Sequence, residues 1–146
     1  MGPSSSSYAN DSAFFNGIGR VDRIVFHPTN ENIIFICTPS GGLWNTLNGG
    51  TAWNNLTDFL PATGVSGFVI TPNNTSTMYL LTGDGDASGS GTLVNLMGYL
   101  RPSIGVLKSI DGGVSWHETS PLPNATDPYV GFKLVQSPTD TNVLLA

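Results

Sequence analysis

The segment SIDGGVSW at Ser109–Trp116 is the most informative part of this sequence, because a second segment repeats its pattern. TLNGGTAW at Thr46–Trp53 keeps the same spacing of a hydroxyl residue, an Asx residue, two glycines and a tryptophan. Asx-Gly pairs between apolar runs are the strongest short signal for a β-hairpin. Each stretch therefore predicts a tight turn between two antiparallel strands.

A proline turn precedes each of these hairpins. VFHPTN at Val25–Asn30 and VITPNN at Val69–Asn74 each join two apolar runs, and VQSPTD at Val135–Asp140 is a third copy. Proline presets φ at a turn, and Asn or Asp tolerates the left-handed conformation that follows. Each complete unit then has four strands, and a four-stranded unit of roughly 44 residues has the size of a propeller blade.

The predicted fold is all-β, built from β-propeller blades that are four-stranded antiparallel sheets, in an incomplete ring of about two and a half blades. In this division, residues 1–18 are a leader or flexible N-terminal segment and residues 19–64 are the first blade. Residues 65–129 are the second blade, and residues 130–146 begin a third. Because a propeller closes with about 4–8 blades, we expect either further blades in a larger protein or copies of the chain that assemble.

Composition excludes several classes of function. Charged residues make up 10 % of the chain, while there are 18 Gly and 10 Pro, which favours short strands and tight turns. The net charge of −5, with only five basic residues, argues against a nucleic-acid partner, because phosphate binding needs clustered Lys and Arg. No apolar run approaches the roughly 20 residues of a membrane span. Cys37 is the only cysteine and lies in an apolar run, so we expect a buried thiol and no internal disulfide.

The turn motifs resemble a known repeat. Ser109, Asp111, Gly113 and Trp116 match the S-x-D-x-G-x-x-W pattern of the Asp-box in BNR repeats, and a degenerate copy is formed by Thr46, Asn48, Gly50 and Trp53. Such boxes occur in sialidases, in Vps10/sortilin propellers and in xyloglucanase-type glycoside hydrolases. The chain is most similar to secreted or cell-surface propeller proteins of Bacteroidetes-type bacteria, which the type IX system often exports. The resemblance implies a secreted or cell-surface location and a structural role for all eight box residues.

The resemblance also implies that ligands bind at the end of the blades opposite the box turns. Four residues are candidates for ligand binding there: Arg20, Arg23, Tyr99 and Arg101. Sialidases bind their substrate's carboxylate with three arginines, because a guanidinium fork matches a carboxylate. They also need a Tyr–Glu pair, and Glu31 and Glu118 fall beside the turns or on an outer strand. We therefore favour a structural role for Arg20 and Arg23, with Asp22 as their partner.

An insertion at residues 84–103 distinguishes the second blade from the first. It begins with oxygen-bearing side chains at alternate positions, Asp84, Asp86 and Ser88. This spacing resembles the first half of a calcium loop, because Ca²⁺ needs several oxygen ligands on a tightly turning backbone. The alternative is an Asp-rich turn whose carboxylates accept hydrogen bonds from local backbone N–H groups.

Three functions fit these observations. The first is a non-catalytic secreted or cell-surface propeller module that binds a glycan or an extracellular protein, or builds an extracellular assembly. The second is part of a sialidase-like or xyloglucanase-like glycoside hydrolase with its catalytic residues on other blades. The third is the subunit of a structural filament. The sequence predicts no catalytic residue, and calcium is the one cofactor for which it offers candidate ligands.

Overall fold

The computed structural model describes residues 20–62, 64–85, 103–119 and 129–146. The regular secondary structure in these ranges consists of β-strands: β1 Arg23–His27, β2 Asn30–Thr38, β3 Gly42–Thr46, β4 Asn54–Asn55, β5 Val65–Ile70, β6 Met78–Thr82, β7 Val106–Ser109, β8 His117–Glu118, β9 Val135–Gln136 and β10 Leu144–Leu145. The described ranges hold no candidate transmembrane helix.

The strands form three antiparallel sheets. The first has the order β1-β2-β3-β4, the second has the order β5-β6-β7-β8, and β9 pairs with β10 in a two-stranded sheet. The proline turns join the first two strands of each unit, and the Asx-Gly turns join the last two. The prediction of an all-β fold made of four-stranded antiparallel sheets is confirmed.

The first and second sheets pack face to face. Val25 and Phe35 are cross-strand partners on one face of the first sheet, and Phe68 and Leu80 are partners on the facing surface of the second. The rings of Phe35 and Phe68 lie 4.9 Å apart between their centroids. Burial of these apolar faces removes them from water and is the main force that holds the sheets together.

The opposite face of the first sheet remains exposed. Ile24 and Phe26 are each 61 % exposed on this face. Their equivalents in the second unit, counted from Pro28 and Pro72, are Phe68 and Ile70, which are 4 % and 7 % exposed because they pack on the first sheet. The same repeat position is thus buried in the second sheet and open in the first. We call this open surface, with Ile24 and Phe26, the trailing face.

The two ends of the sheets differ in chemistry. At the turn end, the hairpin turns lie beside the starts of β2 and β6: Gly49 N donates to Asn32 O at 2.9 Å, and Gly112 N donates to Ser76 O at 3.0 Å. At the other end, β1 and β5 begin and β2 and β6 finish. We call this second end the Arg20 end. It carries the charged residues Arg20, Asp22, Arg23 and Asp84.

Candidate functional site

The turn at Ser109–Trp116 is organised by the side chains of Ser109 and Asp111. Ser109 Oγ donates to Asp111 Oδ1 at 2.7 Å and accepts from Gly113 N at 2.8 Å. Asp111 Oδ1 also accepts from the backbone N of Val114 at 3.0 Å and of Ser115 at 2.9 Å. These hydrogen bonds, first of all from the Ser115 hydroxyl, lower the pKa of Asp111 well below its ordinary value.

The turn at Thr46–Trp53 makes three of these bonds with neutral groups. Thr46 Oγ1 donates to Asn48 Oδ1 and accepts from Gly50 N, both at 2.9 Å. Asn48 Oδ1 accepts from Ala52 N, again at 2.9 Å. An amide oxygen therefore replaces the carboxylate oxygen in the first unit without loss of the turn.

Glycine and tryptophan complete both turns. Gly113 and Gly50 share a φ of +92°, which favours glycine over other residues. Trp116 is buried and lies against Gly113, while Trp53 is half-buried beside Gly50. The hydroxyl, Asx, glycine and tryptophan residues of both turns thus serve local hydrogen bonds and packing at the turn end.

The Arg20 end contains an ion-paired cluster. Arg20 Nε lies 2.6 Å from Asp22 Oδ1, and Arg20 Nη2 lies 2.8 Å from Asp84 Oδ2. Arg20 precedes the first sheet and Asp84 follows β6 of the second, so this guanidinium links two sheets. The Asp84 side chain is almost fully buried, whereas Arg20 is 44 % exposed. A guanidinium already bound by two carboxylates is a poor receptor for a third anion.

Arg23 is bound to backbone rather than to Asp22. Its Nε donates to Ser66 O at 2.7 Å and its Nη2 donates to Phe132 O at 3.2 Å. Ser66 is in β5, and Phe132 lies just before β9. Arg23 in β1 thus connects to the first strand of the second sheet and to the segment that leads into the third. Of the two arginines for which Asp22 was the expected partner, only Arg20 makes an ion pair with it.

The base of the insertion is fixed by hydrogen bonds at both stems. On one side, Gly85 N donates to Gly131 O at 2.8 Å; on the other, Ser103 N donates to Tyr129 O at 2.8 Å. Thr82, which is fully buried, binds Ile104 N and the Gly105 carbonyl through its hydroxyl at 2.8 and 2.9 Å. Both stems are therefore tied to the segment that leads into the third sheet.

Exposed aromatic side chains lie on that same segment. Phe132 is 55 % exposed and Tyr129 is 39 % exposed. The Phe132 ring lies directly against Gly85, where an added Cβ would come within 2.6 Å of the ring atom Cε1. An exposed aromatic surface therefore lies beside Gly85, the residue that follows Asp84.

Sequence reasoning missed this aromatic surface. The repeat does contain a sign of this surface. Phe132 lies six residues before Pro138, and the residues six before the prolines of the two earlier units are Asp22 and Ser66. A large aromatic at a position that is otherwise small or polar departs from the repeat. The link between Arg20 and Asp84 was also missed, since it joins residues of different blades and no local pattern encodes it.

Several candidates lie outside the described residues: Tyr99, Arg101, Asp86 and Ser88. The calcium site therefore stays a prediction. Its first ligand, Asp84, is described and is held by Arg20, so a bound ion would share this carboxylate with a guanidinium. Over the described ranges, no group of three or more His, Cys, Asp or Glu side chains is placed to hold a metal ion.

Cys37 is not a reactive thiol. Its side chain is fully buried, and burial raises the pKa of the thiol to about 12 even though Arg23 is close by. The thiolate is the nucleophilic form of cysteine, and at neutral pH it is essentially absent here. Cys37 acts as a small apolar residue of the core.

The chain is similar to known proteins at the level of three-dimensional structure. No protein-family model and no curated protein matches the chain. An ancestral GH74 enzyme matches with a TM-score of 0.63 and 21 % identity, over 86 % of this chain and 16 % of that enzyme. The GH74 xyloglucanase from Xanthomonas campestris matches with a TM-score of 0.61 and 25 % identity, over 86 % of this chain and 18 % of that enzyme.

The chain thus spans less than one fifth of the length of either enzyme. Both neighbours are β-propeller proteins, and the match covers most of this chain. Its antiparallel four-stranded sheets are therefore blades of a β-propeller.

Proposed function

We propose that this chain is a glycan-binding part of a secreted, polysaccharide-acting β-propeller of the GH74 type, and that the glycan lies across the Arg20 end. The observation that carries the proposal is the structural match to a GH74 xyloglucanase over 86 % of the chain. It favours the glycoside-hydrolase alternative of the sequence analysis over a protein-binding module. A secreted location follows from the proposal, because plant-type polysaccharides are encountered outside the cell.

The chemistry of the Arg20 end supports the proposal. Ligand sites for small molecules combine an apolar or aromatic lining with a few polar groups that fix orientation. Tyr129 and Phe132 supply exposed aromatic surface, and Arg20 and Asp22 supply donors and acceptors at the rim. The hydroxyl and glycine groups of the turns at Thr46–Trp53 and Ser109–Trp116, in contrast, are already bonded to each other within the turns.

The described residues supply binding rather than the hydrolytic step. Glycoside hydrolysis uses two carboxyl groups that flank the scissile bond. Asp22 and Asp84 lie at the Arg20 end, but both are bound to Arg20 at 2.6 and 2.8 Å. In this proposal, at least one carboxylate of the catalytic pair comes from another blade of the propeller, outside this chain.

Affinity electrophoresis tests the proposal directly. The full chain is run in native gels that contain xyloglucan, with dextran and polygalacturonate as comparison polymers, and reducing ends are measured in a parallel incubation. We expect retardation by xyloglucan without release of reducing sugar. Arg20→Gln should reduce the retardation, whereas Lys108→Gln, which removes a charge from the middle of the second sheet, should not. Unchanged mobility in all three polymers would overturn the proposal.

Self-assembly is a second candidate function, and one observation favours it. The trailing face of the first sheet exposes Ile24 and Phe26, although the same repeat positions in the second sheet are buried against a neighbouring sheet. A second copy of this chain would cover the face with the same kind of packing. This is the assembly alternative of the sequence analysis, and its test is given in the Discussion.

A further inference from the structure

The ring of Phe132 is held in place from below by backbone. It lies directly against Gly85, and an added Cβ at that glycine would come within 2.6 Å of the ring atoms Cε1 and Cε2. Only glycine leaves room for the ring here. One side of the ring is thereby covered, while the residue as a whole remains 55 % exposed.

The backbone around Phe132 is fixed as well. Gly131 O accepts from Gly85 N at 2.8 Å, and Phe132 O accepts from Arg23 Nη2 at 3.2 Å. Gly131 is itself tightly packed, since an added Cβ would clash with Ser66 Oγ and with the Thr82 carbonyl. An aromatic surface that is already immobilised loses little conformational entropy when a ligand binds.

The exposed ring does not serve the packing of the sheets. The equivalent positions in the first two units carry Asp22 and Ser66, and both of those sheets form without an aromatic there. Leu134, two residues on, is the buried apolar side chain of this segment and packs against Gly67. An aromatic side chain at position 132 is therefore not needed to form the blade. Its position beside Asp84 and Gly85 places Phe132 at the Arg20 end.

The surroundings of the ring fit a neutral ligand. Arg20 and Arg23 balance the charges of Asp22 and Asp84, and both guanidinium groups are occupied by carboxylate or carbonyl oxygens. Lys133 is exposed next to Phe132 and is the one further charge on this segment. A pyranose ring presents a face of C–H groups with slight positive charge, which suits the negative face of an aromatic ring.

We propose that Phe132 is a stacking platform for a pyranose unit of a neutral polysaccharide at the Arg20 end. This inference rests on the proposed function and names the residue that recognises the sugar. The hydroxyl groups at the edge of the stacked sugar then reach toward Arg20 and Asp22. Arg23 and Gly85 act as positioning residues, since they hold the platform and do not touch the sugar.

The test compares three substitutions at Phe132 in the full chain. Binding of xyloglucan oligosaccharides is measured by isothermal titration, and folding is checked by thermal unfolding. Phe132→Ala should weaken binding about tenfold, a loss typical of an aromatic contact. Phe132→Leu keeps an apolar side chain over Gly85 but lacks the aromatic face, and it should weaken binding to a similar degree. Phe132→Trp should retain it.

Phe26→Ala is the matched control, because Phe26 is also an exposed phenylalanine, at 61 %, and lies next to the turn end of β1. Its affinity should equal that of the unmodified chain. If Phe132→Leu binds within twofold of the unmodified chain, the platform is wrong while the proposed function stands. If affinity electrophoresis shows that the unmodified chain binds only polygalacturonate, the ligand is anionic, and the proposal of a stacking platform for a neutral sugar is wrong. If it binds none of these polymers, the proposed function fails together with this inference.

Discussion

The guanidinium of Arg23 donates to the backbone carbonyl of Ser66 at 2.7 Å and so joins β1 and β5, the first strands of two successive blades. A second bond, to Phe132 O at 3.2 Å, extends the link to the third sheet. The apolar faces through which the blades pack give little directional restraint. Arg23, like the ion pair between Arg20 and Asp84, adds a directional contact between blades at the Arg20 end.

Replacing Arg23 by Met should destabilise the chain by about 2 kcal/mol, the order expected when hydrogen bonds from a charged donor are lost. Urea unfolding followed by tryptophan fluorescence measures this free energy. Lys133→Met is the matched control, because Lys133 stands at the same distance from its proline as Arg23 does from Pro28, but is exposed. Equal unfolding midpoints for the two variants would contradict the role given to Arg23.

Asp111 should make stability depend on pH in the acid range. The hydrogen bonds of its turn lower the pKa of the folded carboxyl below its ordinary value, so folding favours the ionised form. The stabilisation is fully present above the unfolded pKa of roughly 3.9 and is lost as pH falls toward the folded value. Thermal unfolding between pH 7 and pH 2 should show this loss.

Asp111→Asn is the informative variant, because Asn48 accepts the corresponding bonds from Thr46 and Ala52 in the first unit. Its unfolding temperature should stay close to that of the unmodified chain at pH 7 and should fall less on acidification. Asp111→Ala, which has no acceptor, should be less stable than either at pH 7. An acid response that is identical in the unmodified chain and in Asp111→Asn would exclude Asp111 as its source.

The sequence was sufficient for the fold because the determinants of the fold are local. The turns at Thr46–Trp53 and Ser109–Trp116 each close on hydrogen bonds that span at most four residues, so a repeated motif reveals them. The link between Arg20 and Asp84 spans 64 residues and depends on the packing of one blade on the next. The Phe132 surface likewise exists only because Gly85 comes beneath it. Such contacts have no periodic signature in the chain.

Cys37 should be unreactive in the folded chain at neutral pH. Burial raises the pKa of its thiol to about 12, so the folded protein holds almost no thiolate, and the buried sulfur is closed to reagents. Iodoacetamide labelling at pH 8, read by intact mass, should be very slow in buffer and complete within minutes in denaturant. Stoichiometric labelling of the native protein at a rate similar to that of the denatured chain would show that the core around Cys37 opens readily.

The trailing face has a complement in the same chain. On the third sheet, Val135 and Leu145 are cross-strand partners, as Val25 and Phe35 are in the first sheet. Val25 and Phe35 pack on the second sheet, whereas Val135 and Leu145 are 41 % and 68 % exposed. If copies of the chain associate, we expect the Val135 face of one to cover the Ile24 face of the next. Such an interface is heterologous, because each copy contributes a different surface.

Mixing two variants distinguishes this arrangement from a symmetric one. Ile24→Lys blocks the trailing face and Val135→Lys blocks its complement, so each variant alone should be monomeric by light scattering. In a mixture, the intact Val135 face of the Ile24→Lys variant can bind the intact Ile24 face of the Val135→Lys variant. The mixture should therefore form heterodimers but nothing larger, because the two faces that stay free in each heterodimer are the substituted ones. Ile110→Lys is the matched control, because Ile110 is 66 % exposed in the turn at Ser109–Trp116 and should leave association unchanged. Monomers in the mixture, or an unmodified chain that is monomeric at high concentration, would exclude head-to-tail assembly.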